Sequence, residues 1–128
     1  MSAYRTINPA TGETVAEFPV LAAADVEGIV ARSARAYKTF RVLPLTDRTK
    51  VLKRAAELHR ERIDELAAIL TLEVGKPIAQ ARGEVELVAS IYEYYADNAA
   101  TFVADEDLAI VGGGEATVRT EPIGPLLG

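Results

Sequence analysis

The stretch Gly75-Lys76-Pro77 contains residue types that are found in phosphate-binding loops. Such a loop places a glycine five residues before the Gly-Lys pair and a serine or threonine directly after it. Here Leu70 occupies the position of the earlier glycine, and Pro77 occupies the position of the hydroxyl residue. We therefore interpret this stretch as a joint at which one helix ends and the next begins.

A second glycine cluster, Gly112–Gly114, could form a glycine-rich cradle for an anion. A cradle of that kind uses the N-terminus of a following helix, where backbone N–H groups point at the ligand. The residues that follow alternate in the manner of a strand, which favours the tip of a β-hairpin.

His59 is the single histidine, and the sequence contains no cysteine. A lone histidine on a helix is more often packed or solvated than a catalytic base. No serine stands in a nucleophile-elbow pattern, and a metal site needs several converging ligands. We assign no catalytic, cofactor-binding or metal-ligating residue to this sequence.

The charged residues of the central region are predicted to lie on solvated helix faces. Glu84 and Glu86, with Glu93 further along, are expected on the outer side of the third predicted helix. Glu57 and Arg60–Arg62 are expected to form ion pairs on the outer side of the second.

Length and composition favour one globular domain of ordinary character. The 128 residues are 49% hydrophobic and 26% charged, and a chain of this length can bury a core. The net charge of -5 argues against a general nucleic-acid binder, which needs a basic face. Without cysteine and without an apolar signal core in MSAYRTINPATGE, we expect a cytoplasmic protein that does not associate with membranes.

Three amphipathic helices are predicted. The first runs from about Ala24 to Arg41 and lacks a Ser or Thr cap. The second follows Thr46, expected as its N-cap, and ends at Gly75 in a left-handed cap. The third has Pro77 in its first turn.

Each predicted helix has an inner face of apolar residues spaced by three and four. In the first helix these are Val26, Ile29, Val30, Ala34, Tyr37 and Phe40. In the second they are Val51, Leu52, Ala55, Leu58, Ile63, Leu66, Ile69, Leu70 and Val74. In the third they are Ile78, Ala81, Val85, Val88, Ile91, Tyr92, Tyr95, Ala99 and Phe102. Gly83 interrupts the third helix and is expected to let another backbone approach closely.

Two β-hairpins flank the helices in this prediction. The first is YRTINPATGETVAEFPV, with Asn-Pro and Thr-Gly supplying the turn. The second pairs Leu108–Val111 with Ala116–Glu121 around a Gly-Gly-Gly-Glu turn. Beyond it, Leu126 and Leu127 follow a Pro-Gly-Pro run and are typical of the start of a buried strand.

The order of motifs resembles the N-terminal part of the NAD(P)-dependent aldehyde dehydrogenases, from about Arg5 to Gly128. The motifs are INPATGE, LTLEVGKPIAQARGEVE, YYADNA and RTEPIGPLLG. Among family members, bacterial succinate-semialdehyde dehydrogenases look most similar. The resemblance implies an α/β parent fold, of which this segment is mainly α, with three amphipathic helices and an N-terminal and a C-terminal β-hairpin.

The resemblance also implies which parts of such an enzyme are present. Residues 1–128 would form the N-terminal portion of the cofactor-binding domain, including an oligomerisation hairpin at about 108–123, and the catalytic domain would be absent. In that family the oxyanion-holding asparagine, the nucleotide-binding glycines, the glutamate base and the cysteine nucleophile come later in the chain. The resemblance therefore transfers no catalytic residue. NAD or NADP would bind only in the complete enzyme.

Two interpretations follow. In the first, the chain is an N-terminal fragment of an aldehyde dehydrogenase and is inactive alone, and the complete enzyme oxidises an aldehyde such as succinate semialdehyde to a carboxylic acid. In the second, it is a stand-alone helical interaction or assembly module built on that scaffold. The end of the sequence at Gly128, just after Leu126 and Leu127, favours the first. Either way we expect self-association, because the three apolar faces can cover one another only in part.

Overall fold

The computed structural model describes residues 4–127 of the chain, so Gly128 lies outside the described residues. It is mostly helical, with two small antiparallel strand pairs, as predicted. Its helices are α1 (Ala23–Phe40), α2 (Leu45–Glu61), α3 (Ile63–Val74) and α4 (Ile78–Phe102). Its strands are β1 (Tyr4–Ile7), β2 (Thr14–Phe18), β3 (Glu106–Leu108) and β4 (Ala116–Val118). Helices α2 and α3 both pack against α4, and β1–β2 and β3–β4 form separate two-stranded sheets.

The prediction of one long second helix was wrong, because the chain breaks at Arg62 into α2 and α3. Arg62 has φ -110° and ψ 22°, outside helical geometry, and its carbonyl oxygen accepts a hydrogen bond from the Leu66 N–H at 3.0 Å. Asp64 and Glu65 occupy the first turn of α3, where carboxylates favour the positive end of the helix dipole. Those two acidic residues were the sequence signal for a new helix start.

The helix ends agree with the prediction at Gly75 and differ at Thr46 and Pro77. Gly75 has φ +74° and forms the left-handed C-cap of α3. Pro44 is the N-cap of α2, so Thr46 lies inside the first turn, and Pro77 is the N-cap of α4 and precedes its first turn. A proline is suitable at the start of both α2 and α4, because its fixed φ is compatible with the beginning of a helix and it has no N–H to leave unpaired.

The first hairpin forms as predicted. Strand β1 pairs antiparallel with β2, with Tyr4 opposite Phe18, and the register shifts between Thr6 and Ile7. The turn is closed by the Asn8 side chain, whose Oδ1 accepts a hydrogen bond from the backbone N–H of Ala10 at 2.9 Å. Asparagine in this position stabilises a turn through its own side chain.

The second hairpin is shorter than predicted and its first strand lies earlier. Leu108 is the last residue of β3, not its first, and pairs with Ala116, while β4 ends at Val118. All three residues of Gly112–Gly114 have positive φ, so the backbone there favours a wide loop over a continued ladder. A salt bridge of 2.8 Å between Asp105, just before β3, and Arg119, just after β4, joins the two open ends of this hairpin.

The core consists of small residues, and this differs from the predicted inner faces. The buried side chains are Ala56, Ala67, Ala81, Val85, Ala89 and Ala96. Along α4 they are spaced by four, four and seven residues, so they share one face. Small side chains let helix backbones approach closely, and the larger apolar residues then flank the contact. Ala81 and Val85 were predicted as inner, whereas Ala56, Ala67, Ala89 and Ala96 were not.

Most large apolar side chains remain partly exposed. Helix α1 has no buried residue, and Val30 on its apolar stripe is 61% exposed. Leu126 and Leu127 are not in a strand here and are 84% and 102% exposed, and none of the strands within residues 4–127 lies beside them. A Cβ placed on Gly83 would meet no atom within 4 Å, so the expected close backbone approach is not found among the described residues.

Within residues 4–127, none of the helices has both the length and the apolar content needed to cross a bilayer.

Candidate functional site

At Gly75, the turn of the first hairpin meets the joint between α3 and α4. Pro9, from the first hairpin turn, lies over the end of α3, so a Cβ built on Gly75 would be 2.8 Å from the Pro9 Cγ. The ammonium group of Lys76 forms an ion pair with Glu84 of α4. Gly75-Lys76-Pro77 is therefore a structural joint, as interpreted from sequence, and its lysine is already paired with a carboxylate.

The glycine cluster Gly112–Gly114 lies in the loop between β3 and β4, as predicted. The chain continues from it into strand β4 at Ala116. The loop therefore does not offer the helix N-terminus that a phosphate cradle uses.

His59 is half-buried and hydrogen-bonded within its own helix. Its Nδ1 lies 2.8 Å from the carbonyl oxygen of Ala55. Because a carbonyl oxygen can only accept, Nδ1 carries the proton and donates it. The ring also packs against Tyr92 at a centroid distance of 5.4 Å. A packed role is one of the two that the sequence favoured for this histidine.

The acidic side chains of Glu86 and Glu93 remain in large part solvent-exposed, as predicted, and they also join α4 to α2. Arg60 donates to Glu86 Oε1 at 2.8 Å and makes a bidentate contact with Glu93, one bond of which measures 2.8 Å. Lys53 reaches Asp97 at 2.7 Å in the same interface. Arg60 points across to α4 because α2 and α4 lie side by side, which a single-helix pattern does not reveal.

Local ion pairs also form along α2 and α3, as expected for a charged outer face. Arg54 contacts Glu57 at 2.9 Å and Glu61 at 2.8 Å, and Arg62 contacts Glu65. Hydrogen bonding from Arg54 lowers the pKa of Glu61, and hydrogen bonding from Arg62 lowers the pKa of Glu65. In the same way, the hydrogen bonds from Arg60 hold the pKa of Glu93 below its ordinary value of 4.5.

We expect acid to destabilise this helical unit. The pKa of Glu93 is lower in the folded chain than in the unfolded chain. The contribution of Glu93 to the free energy of unfolding is therefore present above the unfolded-state pKa. It is lost as the pH falls through the folded-state pKa. Urea titrations between about pH 6 and pH 3 measure the loss. Arg60→Gln should flatten the pH dependence and the charge-matched control Lys38→Gln should not, whereas unchanged slopes in both variants would contradict the assignment.

The segment after β4 is attached to the end of α1. The Tyr37 hydroxyl donates to the carbonyl oxygen of Pro122 at 2.6 Å, and Arg41 pairs with Glu121 at 3.0 Å. The Arg41 guanidinium also lies 5.4 Å from the centroid of the Tyr37 ring. These contacts give the EPIG motif a defined position beside α1.

Three aromatic side chains cluster at the C-terminal end of α4 and form the aromatic patch, defined as Tyr94, Tyr95 and Phe102. Their ring centroids lie 5.5–5.9 Å apart. Beside them is an open groove of about 610 Å³ with an apolar lining. Tyr95 and Phe102 were predicted as inner residues, and Tyr94 was missed because it falls outside the helical spacing.

No group of three or more His, Asp or Glu side chains within residues 4–127 is arranged to hold a metal ion. Several of the charged side chains are paired with one another, some between helices α2 and α4 and others within the second hairpin or beside α1.

Residues 1–128 match the family described as the aldehyde dehydrogenase family, and the chain belongs to that family. It is 44% identical over 125 residues to the NADP(+) succinate-semialdehyde dehydrogenase of Deinococcus radiodurans, covering 98% of this chain and 26% of that enzyme. It is also 39% identical over 124 residues to the NADP(+) succinate-semialdehyde dehydrogenase 1 of Mycobacterium bovis. That match covers 95% of this chain and 27% of that enzyme.

Solved structures agree with this assignment. The succinic semialdehyde dehydrogenase from Streptococcus pyogenes, determined in complex with NADP+, superposes with a TM-score of 0.85 at 33% identity. The match covers 91% of this chain and 26% of that one. The chain thus spans about a quarter of the length of these relatives and corresponds to the N-terminal segment of the larger enzymes.

Proposed function

We propose that this chain supplies the N-terminal portion of the cofactor-binding domain of a cytoplasmic NADP- or NAD-dependent aldehyde dehydrogenase. The complete enzyme would oxidise succinate semialdehyde to the carboxylic acid. The observation that carries the proposal is similarity over 98% of the chain to a relative named for that substrate and for NADP. Residues 108–123, which contain β4, would be the oligomerisation hairpin.

The chain's own residues do not fit a nucleotide site. The ammonium of Lys76 is paired with Glu84, and the Gly112–Gly114 loop leads into a strand. The family reaction also needs a thiolate to attack the aldehyde, and this sequence contains no cysteine. Cofactor and nucleophile would therefore come from sequence outside these 128 residues, and this segment would position that part.

We expect the 128-residue chain alone to show no dehydrogenase activity and no tight NAD(P) binding. NADP+ or NAD+ reduction with succinate semialdehyde should stay at the no-enzyme rate, and calorimetry should show no saturable binding at about micromolar affinity. Turnover that co-purifies with the chain of the expected intact mass would overturn this expectation. In the gene, a reading frame that continues into a Trp-Asn-Phe stretch would support the fragment interpretation.

A second candidate function is a stand-alone assembly module. It is favoured by the helical unit of α2, α3 and α4, which has its own buried residues and its own ion pairs between Arg60 and Glu86 and between Lys53 and Asp97. In this case the chain would pair with itself or with longer relatives.

We also propose that the chain self-associates, through the second hairpin or through the exposed helix faces. Light scattering coupled to gel filtration should show a dimer or larger, because apolar residues such as Val30 remain 61% exposed. If the hairpin is the contact, Val118→Asp should weaken association far more than Glu115→Lys in the adjoining loop. Equal effects of the two changes would place the contact elsewhere.

A further inference from the structure

We propose that Tyr37 and Arg41 form a latch that holds α1 to the segment after β4, and that α1 depends on this latch for its helical order. The latch is defined as these two side chains with their partners Glu121 and Pro122. The Tyr37 hydroxyl donates to the Pro122 carbonyl oxygen at 2.6 Å, and the Arg41 guanidinium lies 3.0 Å from Glu121 Oε2. The two contacts join residues that are 85 and 80 positions apart in the chain, so both are tertiary contacts.

Helix α1 is not among the helices that pack closely on one another. Within residues 4–127 those helices are α2, α3 and α4, and none of the residues of α1 is buried. Its larger apolar side chains are 41–61% exposed, namely Val26, Ile29, Val30 and Phe40. Tyr37 is less exposed than any of these four, so the latch is the place where α1 is most closely covered.

The local sequence of α1 adds little to its stability. Its N-cap, Ala22, makes no side-chain cap hydrogen bond, and Gly28 inside the helix disfavours helical structure relative to alanine. In water most helices depend on tertiary packing of an apolar face, and without it they are marginal. The order of α1 therefore requires contacts with the rest of the chain, and the latch supplies two of them.

Tyr37 and Arg41 act together because they are four residues apart and share one face of α1. The Arg41 guanidinium lies 5.4 Å from the centroid of the Tyr37 ring, a distance at which a cation is attracted to an aromatic face. The ring therefore helps to orient the cation towards Glu121, while the hydroxyl reaches the neighbouring carbonyl oxygen. The fixed φ of Pro122 reduces the conformational freedom that the segment loses when it is held.

The two contacts of the latch should respond differently to salt. The side chains of Arg41 and Glu121 are 37% and 60% exposed, so about 1 M salt should screen their attraction. The hydrogen bond from Tyr37 to Pro122 joins two neutral groups and should persist. Salt therefore separates the contribution of the ion pair from that of the hydroxyl.

Hydrogen exchange of the backbone amides tests the latch on the chain as it exists. Tyr37→Phe removes only the hydroxyl and should raise the exchange rates of amides within 26–41 about three- to tenfold. Glu121→Gln should raise the same rates about twofold at low salt and should have no effect at about 1 M salt. The exchange rates of amides within 81–96 of α4 should not change in either variant.

Tyr94→Phe and Glu115→Gln are the matched controls. They make the same two substitutions outside the latch, at a ring on α4 that is 56% exposed and at an exposed carboxylate in the loop between β3 and β4. Both should leave the exchange of α1 as in the wild-type chain. The effect of Glu121→Gln is the decisive one, because residue 121 is 80 positions away from Arg41 and can act on α1 only through a tertiary contact.

Unchanged exchange of α1 in both Tyr37→Phe and Glu121→Gln would overturn the inference. Equal acceleration of α1 and α4 would overturn it as well, because it would indicate a loss of global stability and not the release of one helix. The measurement involves neither cofactor nor substrate. Its outcome is therefore independent of the dehydrogenase role, which the reading frame and the turnover assay decide separately.

Discussion

Replacing Gly75 with alanine should lower the free energy of unfolding by about 2–3 kcal/mol. Two effects add at this position. The backbone has φ +74°, a left-handed conformation that costs an alanine about 1–2 kcal/mol. The new Cβ would also lie 2.8 Å from the Pro9 Cγ, so the first hairpin would have to move away from the end of α3.

Gly83→Ala is the matched control for this change. Gly83 lies inside α4, and a Cβ there would meet nothing within 4 Å. We expect it to raise the free energy of unfolding by about 0.5–1 kcal/mol through helix propensity. Urea titrations followed by circular dichroism at low micromolar concentration measure both variants. A Gly75→Ala chain as stable as wild type would show that neither the left-handed cap nor the contact matters.

A double-mutant cycle separates the two effects at Gly75. In a Pro9→Ala background the ring atom that the new Cβ would strike is absent, so Gly75→Ala should cost only the conformational part. A smaller loss than in the wild-type background, by about 1 kcal/mol, would measure the hairpin contact.

Replacing Ala67 with leucine should destabilise the chain by about 2–3 kcal/mol. Ala67 is 0% exposed, in the helix that packs against α4. Three additional carbon atoms there must push α3 away from its neighbour or adopt a strained rotamer.

Ala68→Leu makes the same substitution at the next residue of α3 and is the matched control. Ala68 is exposed, so its change should stay within about 0.5 kcal/mol of wild type. Leucine and alanine have similar helix propensity, which removes that term from the comparison. Equal losses at the two positions would mean that α3 does not pack as described.

Several features were readable from local sequence because neighbouring residues decide them. The left-handed cap at Gly75 follows from a glycine at a helix end, and the turn at Asn8 follows from its side chain bonding to the nearby backbone. The family resemblance was also local, since it depended on the order of short motifs. The spacing of the apolar residues predicted the first and last residues of α1 and α4 nearly as they are observed.

Features that depend on distant neighbours were not readable in this way. The break at Arg62 separates two helices that both pack on α4, and the apolar spacing alone continues across it. Thr46 was a reasonable cap in isolation, but the chain enters α2 at Pro44. The ion pairs of Arg60 with Glu86 and Glu93 were not predicted, because only the side-by-side arrangement of α2 and α4 brings Arg60 within reach of them.

By itself, the sequence determined the family, the mostly helical character, the two hairpins and the absence of a cysteine nucleophile. These follow from composition, periodicity and motif order, which are properties of the chain alone. Tertiary structure decided which apolar residues are buried, because burial depends on how closely helices approach. Alanines such as Ala56 and Ala89 allow the closest approach and fill the contacts, and the larger side chains, Tyr95 and Phe102 among them, remain half-exposed at the surface.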